Sequence, residues 1–166
     1  MWLSNQHPWP WPDHLATTVQ QKLTLAKLRF PGGPLPGSVC VGNASMQSCL
    51  VVDDSSVVRK VARRILEGFN LDVAEAGDGA EALVICERSM PDFILLDWHL
   101  PVMDGLEFLV SLRNTDGGKR PKVVFCTSEV DVAQIAKAHR AGADEYMLKP
   151  FDRGMVEAKL YDVGVL

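Results

Sequence analysis

No stretch of the 166 residues approaches the roughly 18–20 consecutive apolar residues that a membrane-spanning helix requires. The amino terminus also lacks the apolar core of a secretory signal. Because nothing in the sequence directs the chain into or across a membrane, we predict a cytoplasmic protein with no membrane partner.

The four cysteines lack the spacing of a zinc or redox motif. Cys40, Cys49, Cys86 and Cys126 form no C-x-x-C pair, and no histidine stands at zinc-finger spacing from them. Three lie in apolar stretches, so we expect small buried side chains in a reducing compartment. The net charge of -4 and the lack of a helix-turn-helix segment argue against a nucleic acid partner.

Residues 1–47 differ in composition from the rest of the chain. Proline alternates with tryptophan in Trp9–Pro12, which excludes a helix there, and Pro31–Pro34 is rich in turn formers. The amphipathic stretch Val19–Phe30 is marginally long for an isolated helix. We interpret residues 1–47 as a largely disordered extension. Two alternatives stay open: a docking segment that uses its tryptophans, and a non-functional leader, since Met46 directly precedes the first strand.

Residues 48–166 alternate between five short apolar runs and five amphipathic segments. The runs Cys49–Val52 and Phe93–Leu96 are continuously apolar and are followed by aspartate. Such strands are buried on both faces, which predicts an α/β fold with a parallel sheet covered by helices on both sides. Aspartates are placed to cap the last four helices, namely Asp78, Asp104, Asp131 and Asp152. The last strand is expected over Ala143–Leu148, and the last helix is expected to bury Met155.

Polar side chains stand where the predicted strands end. They are Asp53 and Asp54 after the first strand, Asp97 after the third, Thr127 after the fourth and Lys149 after the fifth. Ligands of open parallel sheets bind beyond these ends. Three carboxylates together need a cation, and oxygen ligands favour Mg²⁺ or Mn²⁺ over zinc. Since a carboxylate can form an aspartyl phosphate, the residues predict phosphoryl transfer onto an aspartate.

Four segments at the ends of the predicted strands form one pattern: Val51–Ser55, Leu95–Gly105, Thr127–Ser128 and Ala141–Phe151. Together they resemble the receiver domains of bacterial response regulators, especially single-domain, CheY-like regulators. Asp97 precedes Thr127 by 30 residues, and Thr127 precedes Lys149 by 22, which are spacings of that family. The resemblance covers residues 48–166 and implies a (βα)5 flavodoxin-like, doubly wound sheet with strand order 2-1-3-4-5.

The resemblance also implies roles for the clustered residues. Asp97 would be the phosphate acceptor, and Asp54, Asp97 and the backbone carbonyl of His99 would bind Mg²⁺. Asp53 would hold a metal-bound water, and Lys149 would pair with Asp97 and then with the phosphate. Thr127 would donate its hydroxyl to the phosphate, and Tyr146 would move inward behind it. The Lys149–Pro150 peptide bond would be cis.

Two further positions border the expected path of the hydrolytic water. His99 stands two residues after Asp97, where chemotaxis regulators commonly have asparagine, and Glu129 stands two residues after Thr127. We expect both side chains to influence how long the phosphate persists. Four basic residues of the first helix form a stripe that we interpret as either a solvated face or a kinase-docking surface: Arg59, Lys60, Arg63 and Arg64.

The expected protein is a signalling switch rather than an enzyme, because it would catalyse only its own phosphotransfer and dephosphorylation. Its partners would be a sensor histidine kinase or histidine phosphotransfer protein and a separate downstream target, since no output domain follows the last helix. A phosphorelay intermediate or phosphate sink is the alternative, and a phosphorylation-independent adaptor is a third. A haloacid-dehalogenase-like phosphatase is disfavoured, because Trp98 and His99 follow Asp97 in place of its D-x-D motif.

Overall fold

The computed structural model describes residues 46–129 and 131–166. Most of the predicted disordered extension, including the Val19–Phe30 stretch and Cys40, therefore lies outside the described residues. Met46 and Gln47 have no regular secondary structure and lead into the first strand.

Strands and helices alternate strictly along the described part of the chain. The strands are β1 (Ser48–Val52), β2 (Asp72–Ala76), β3 (Phe93–Asp97), β4 (Lys122–Thr127) and β5 (Glu145–Leu148). The helices are α1 (Ser56–Glu67), α2 (Gly79–Arg88), α3 (Gly105–Arg113), α4 (Val132–Ala141) and α5 (Arg153–Asp162).

The five strands form one sheet in the order β2-β1-β3-β4-β5, and every neighbouring pair is parallel. This confirms the predicted doubly wound, flavodoxin-like α/β architecture. β1 and β3 lie in the middle of the sheet, and Val52 pairs with Leu96, so both strands end side by side. The two aspartates that follow these residues, Asp53 and Asp97, are thereby brought to one edge.

Alternate residues of the central strands feed two separate hydrophobic layers. Leu50 and Val52 pack into the layer that includes residues of α2, α3 and α4, whereas Cys49 and Val51 pack into the layer that includes residues of α1 and α5. Burial on both faces explains why these runs are continuously apolar. The cysteines Cys49, Cys86 and Cys126 are buried, as predicted.

The four predicted aspartate caps are confirmed. Each side chain accepts a hydrogen bond from a backbone N–H in the first turn of its helix, for Asp78, Asp104, Asp131 and Asp152. Asp104 and Glu107 form a reciprocal capping box at the start of α3. This cap fixes where α3 begins, directly after the loop that follows Asp97.

Two expectations at the far edge of the sheet are wrong. β5 begins at Glu145 rather than Ala143, because the Ala143 N–H still bonds to the Ala138 carbonyl and completes the end of α4 through Gly142. Gly142 adopts a left-handed conformation with φ of 103°. Met155 is exposed, since the buried stripe of the last helix runs through Val156 and Leu160 instead.

Candidate functional site

Three carboxylates meet beyond the ends of β1 and β3. One carboxylate oxygen from each of Asp53, Asp54 and Asp97 lies within 4.8 Å of the others. Asp53 and Asp97 are buried, whereas Asp54 is exposed to solvent. The sheet register produces this cluster, because β1 and β3 are neighbours and end at the same level.

Lys149 places its ammonium group between two of these carboxylates. Its Nζ lies 2.6 Å from Asp53 Oδ2 and 2.9 Å from Asp97 Oδ1. The Lys149 N–H bonds to the Thr127 carbonyl, which continues the β4–β5 pairing, and the Lys149–Pro150 peptide bond is cis, as predicted. The shorter contact with Asp53 is a feature that the sequence interpretation did not include.

Burial and charge act in opposite directions on the central pair. Burial raises the pKa of the Asp97 carboxyl above its usual value, and the Lys149 ammonium only partly offsets this effect. Burial alone would lower the pKa of Lys149, but its hydrogen bonds with Asp53 and Asp97 outweigh burial, and the net pKa is raised. The ammonium therefore stays charged beside Asp97 at neutral pH.

The β1–α1 loop uses both oxygens of Asp53. Asp53 Oδ1 accepts a hydrogen bond from the Ser55 N–H at 2.9 Å, while Oδ2 accepts from Lys149. Ser55 in turn caps α1 through the Val58 N–H. The carboxylates of Asp54 and Asp97 lie beside that of Asp53. Because all three side chains offer oxygen ligands, the cluster suits a hard divalent cation of the Mg²⁺ or Mn²⁺ type.

Arg59 belongs to this site, although the sequence interpretation placed it in a basic surface stripe. Its guanidinium Nη1 donates to the backbone carbonyl oxygens of Asp53 at 2.7 Å and Asp54 at 3.2 Å. Arg63 is also engaged, with Glu75 and Glu67, whereas Lys60 and Arg64 are exposed. Arg59 and Arg63 are therefore engaged with other residues, whereas Lys60 and Arg64 face solvent.

Thr127 ends β4 at the border of the acidic cluster and is buried. Its hydroxyl donates to the Glu129 carbonyl at 3.0 Å and accepts from the Glu129 N–H at 3.2 Å. The hydroxyl is thus engaged within its own loop. The residues His99 and Glu129 are both exposed, in the loops that follow β3 and β4.

Tyr146 lies half-buried on β5, next to a small apolar pocket. Trp98, Phe125 and Ile135 line this pocket, and so do Thr127 and Tyr146. The Trp98 and Phe125 rings are 5.0 Å apart between centroids. Tyr146 and Thr127 therefore border one space, although no hydrogen bond is recorded between them in the described part of the chain.

The last three elements of the fold, α4, β5 and α5, differ in how accessible their polar side chains are. Ala133, Lys137 and His139 are exposed on α4. Lys159 is less accessible, because its ammonium bonds to Glu145 at 2.7 Å and approaches Asp162 at 3.4 Å. The aromatic ring of Tyr146 lies 5.8 Å from the same ammonium.

Comparisons with known proteins agree on one family. Residues 49–161 match the response regulator receiver domain family. The chemotaxis protein CheY-3 of Vibrio cholerae is 35% identical over 113 residues, which cover 67% of this chain and 86% of that protein. The chemotaxis protein CheY of Halobacterium salinarum is 35% identical over 114 residues, 69% of this chain and 93% of that protein.

Solved structures show the same fold. Vibrio cholerae CheY4 superposes with a TM-score of 0.69 at 29% identity, covering 72% of this chain and 99% of that chain. The receiver domain of the sensor histidine kinase PA1611 of Pseudomonas aeruginosa, which has a magnesium ion coordinated in its active-site cleft, gives a TM-score of 0.66 at 28% identity, with the same coverage of both chains. Among the described helices of the present chain, none is long and apolar enough to span a membrane.

Proposed function

The chain belongs to the response regulator receiver domain family, and we propose that it is a single-domain switch of two-component signalling whose Asp97 accepts a phosphoryl group. One observation carries this proposal above the others. The Asp97 carboxylate lies within 4.8 Å of two further carboxylates and 2.9 Å from a lysine ammonium, at the carboxyl edge of a parallel sheet. This arrangement supplies a nucleophile, a cation site and a fixed positive charge.

The phosphoryl donor would be a phosphohistidine of a sensor histidine kinase or a histidine phosphotransfer protein. A carboxylate oxygen of Asp97 forms the new bond to phosphorus, while the phosphorus–nitrogen bond breaks and its electron pair stays on the imidazole. Lys149 moves from the carboxylates toward the phosphoryl oxygens and offsets their charge. The chain thus acts on its own side chain, in the cytoplasm, rather than on a separate substrate.

Asp54, Asp97 and the His99 carbonyl would hold a Mg²⁺ or Mn²⁺ ion, with Asp53 holding a bound water. The ion would offset the negative charge that develops on the phosphoryl oxygens. Two features support this assignment: the all-oxygen donor set of the cluster, and the engagement of both Asp53 oxygens by Ser55 and Lys149.

Phosphorylation would be transmitted through Thr127 and Tyr146. A phosphate adds about -1.5 to -2 charge and strong acceptor oxygens, for which the Thr127 hydroxyl would leave its present partner, Glu129. That movement frees space in the apolar pocket beside Tyr146, which would turn inward. The change biases a pre-existing equilibrium between two states of the α4–β5–α5 surface.

The exposed side chains of His99 and Glu129 would set the lifetime of the phosphate. Their exposure in the loops that follow β3 and β4, two residues after Asp97 and Thr127, supports this role. Replacing His99 with asparagine should change the rate of phosphate loss, measured as decay of the phosphorylated chain after the donor is removed. An unchanged decay rate would exclude a role for the imidazole.

The central proposal is tested by phosphotransfer from candidate kinases to the full chain. Asp97→Ala should abolish transfer, whereas Asp116→Asn, a change at an exposed aspartate distant in sequence from the cluster residues, should leave it intact. Transfer that persists in Asp97→Ala would overturn the proposal.

A separate measurement distinguishes an output switch from a phosphorelay intermediate or phosphate sink. A target captured only by the chain activated with beryllofluoride supports the output switch. Onward transfer of the phosphoryl group to a second histidine protein, with no such target, supports the relay.

A further inference from the structure

The guanidinium of Arg59 lies against the backbone of the acidic β1–α1 loop. Its Nη1 bridges two consecutive carbonyl oxygens, those of Asp53 and Asp54, at 2.7 and 3.2 Å. Only 19% of the side chain is exposed. Arg59 thus contacts the peptide groups that carry two of the three clustered carboxylates, without contacting the carboxylates themselves.

Arg59 is itself held from the opposite side by Glu75 of β2. The Arg59 Nε lies 3.1 Å from Glu75 Oε2, and the other oxygen of Glu75 accepts a hydrogen bond from Arg63 Nε. Arg63 continues the chain of contacts to Glu67 at 3.1 Å. The hydrogen bond from Arg63, followed by that from Arg59, lowers the pKa of Glu75, which keeps its carboxylate ionised at neutral pH.

This geometry fixes the orientation of the loop peptides. A planar guanidinium that donates to two carbonyls and to a carboxylate has little rotational freedom, unlike a lysine ammonium on a flexible stem. Removal of a group that holds metal ligands in their orientation commonly changes metal affinity by 10–100-fold.

We infer that Arg59, anchored by Glu75, is a positioning residue that sets the divalent-cation affinity of the Asp53–Asp54–Asp97 cluster. The inference rests on the proposed metal site and adds to it a residue outside the ligand set. Its consequence is that cation affinity depends on a contact between α1 and β2.

Charge and geometry make opposite predictions, which allows a sharp test. Arg59 carries a positive charge near a site for a divalent cation, so its removal would tighten Mg²⁺ binding if charge alone mattered. If Arg59 instead orients the loop, its removal weakens Mg²⁺ binding. The direction of the change therefore identifies the role of Arg59.

The experiment is calorimetric titration of the full chain with MgCl₂ at neutral pH. Arg59→Met should raise the Mg²⁺ dissociation constant about tenfold. Arg59→Lys keeps the charge but cannot make all three contacts together, so it should also raise the Mg²⁺ dissociation constant. Glu75→Gln should raise this constant to a smaller extent. Arg64→Met is the matched control and should change the dissociation constant little. Arg64 is exposed on the same helix, and its side chain has no partner among the described residues.

The Mg²⁺ dependence of phosphotransfer provides the second measurement. The MgCl₂ concentration that gives half-maximal transfer should rise in Arg59→Lys in step with the Mg²⁺ dissociation constant, because a positioning role acts through ion capture. Unchanged or tighter Mg²⁺ binding by Arg59→Met and Arg59→Lys would overturn the inference while leaving the proposed function intact. If Arg59→Met does not fold, Arg59→Lys and Glu75→Gln decide by the same criterion. Absence of Mg²⁺ binding by the unaltered chain would overturn the metal site and the inference together.

Discussion

The two helices α3 and α4 cover the same side of the sheet but are packed very differently. α3 buries five of its nine residues, whereas α4 buries only Ala138 among its ten. α3 follows the loop after Asp97, and α4 follows the loop after Thr127. The helix that follows the proposed acceptor Asp97 is thus well packed, while the helix that follows the proposed switch residue Thr127 is held by few buried contacts, as regions that change conformation generally are.

α4 is anchored to α3 at its carboxyl end. Arg113 of α3 donates to the Gly142 carbonyl through Nε at 3.1 Å and Nη2 at 2.6 Å. At the other end of α4, Val132 is 77% exposed. Since the anchored end lies away from Thr127, we expect motion of α4 to be largest where it approaches the acidic cluster.

The largest expected difference between α3 and α4 is in the loss of stability when a core side chain is shortened. Leu109 of α3 is fully buried, so Leu109→Ala should lower the free energy of unfolding by about 3 kcal/mol. Ile135 of α4 is only half-buried, so Ile135→Ala should cost about 1 kcal/mol. Urea unfolding of both variants measures the difference, and equal losses would remove the contrast between the helices.

The sequence was sufficient to predict the framework, because its signals are local or periodic. Continuous apolar runs such as Phe93–Leu96 identify buried parallel strands, and aspartates such as Asp104 identify helix starts. The acidic cluster also follows from sequence, once strands that end in aspartate are taken to be neighbours. These features need no knowledge of how distant side chains are oriented.

Other features depend on contacts that the sequence does not encode locally. The contact of Lys149 with Asp53 at 2.6 Å depends on where β5 lies in the sheet. The contact of Arg59 with the backbone of the β1–α1 loop depends on where β2 lies. A pattern of basic residues on α1 gives no indication of which ones face β2. The exposure of Met155 likewise follows from the buried stripe through Val156 and Leu160, which the adjacent apolar residues Met155 and Val156 do not define by themselves.

Removal of a buried charge is the next largest effect and concerns the contacts of Lys149, at the end of β5, with Asp53 and Asp97. Lys149→Met leaves Asp53 and Asp97 buried without their cation, which should lower the free energy of unfolding by about 2–3 kcal/mol at neutral pH. MgCl₂ should stabilise this variant more than the unaltered chain, because the ion replaces the missing charge.

Lys122→Met is the matched control for that experiment. Lys122 pairs with Asp144 at 3.0 Å, but its side chain is 47% exposed. Its loss should cost below about 1 kcal/mol and show no Mg²⁺ dependence. Comparable losses in Lys122→Met and Lys149→Met would show that the central lysine contributes no more than a surface ion pair.

The smallest predicted effect compares two glutamates on opposite edges of the sheet, Glu75 on β2 and Glu145 on β5. The hydrogen bond from Arg63, then that from Arg59, lowers the pKa of Glu75, and the hydrogen bond from Lys159 lowers the pKa of Glu145. A carboxyl whose pKa is lower in the folded chain stabilises the fold above its unfolded pKa of about 4.3, and loses that contribution as the pH falls through the folded pKa.

The two substitutions should therefore differ at neutral pH and converge in acid. Glu75→Gln removes contacts with two arginines and should cost about 1 kcal/mol at pH 7, whereas Glu145→Gln should cost about 0.5 kcal/mol. Both costs should vanish as the pH falls below about 4, where the native carboxyls become protonated. Chemical unfolding across this range measures them, and a larger cost for Glu145→Gln would mean that ion pairing contributes more on the β5 edge of the sheet than on the β2 edge.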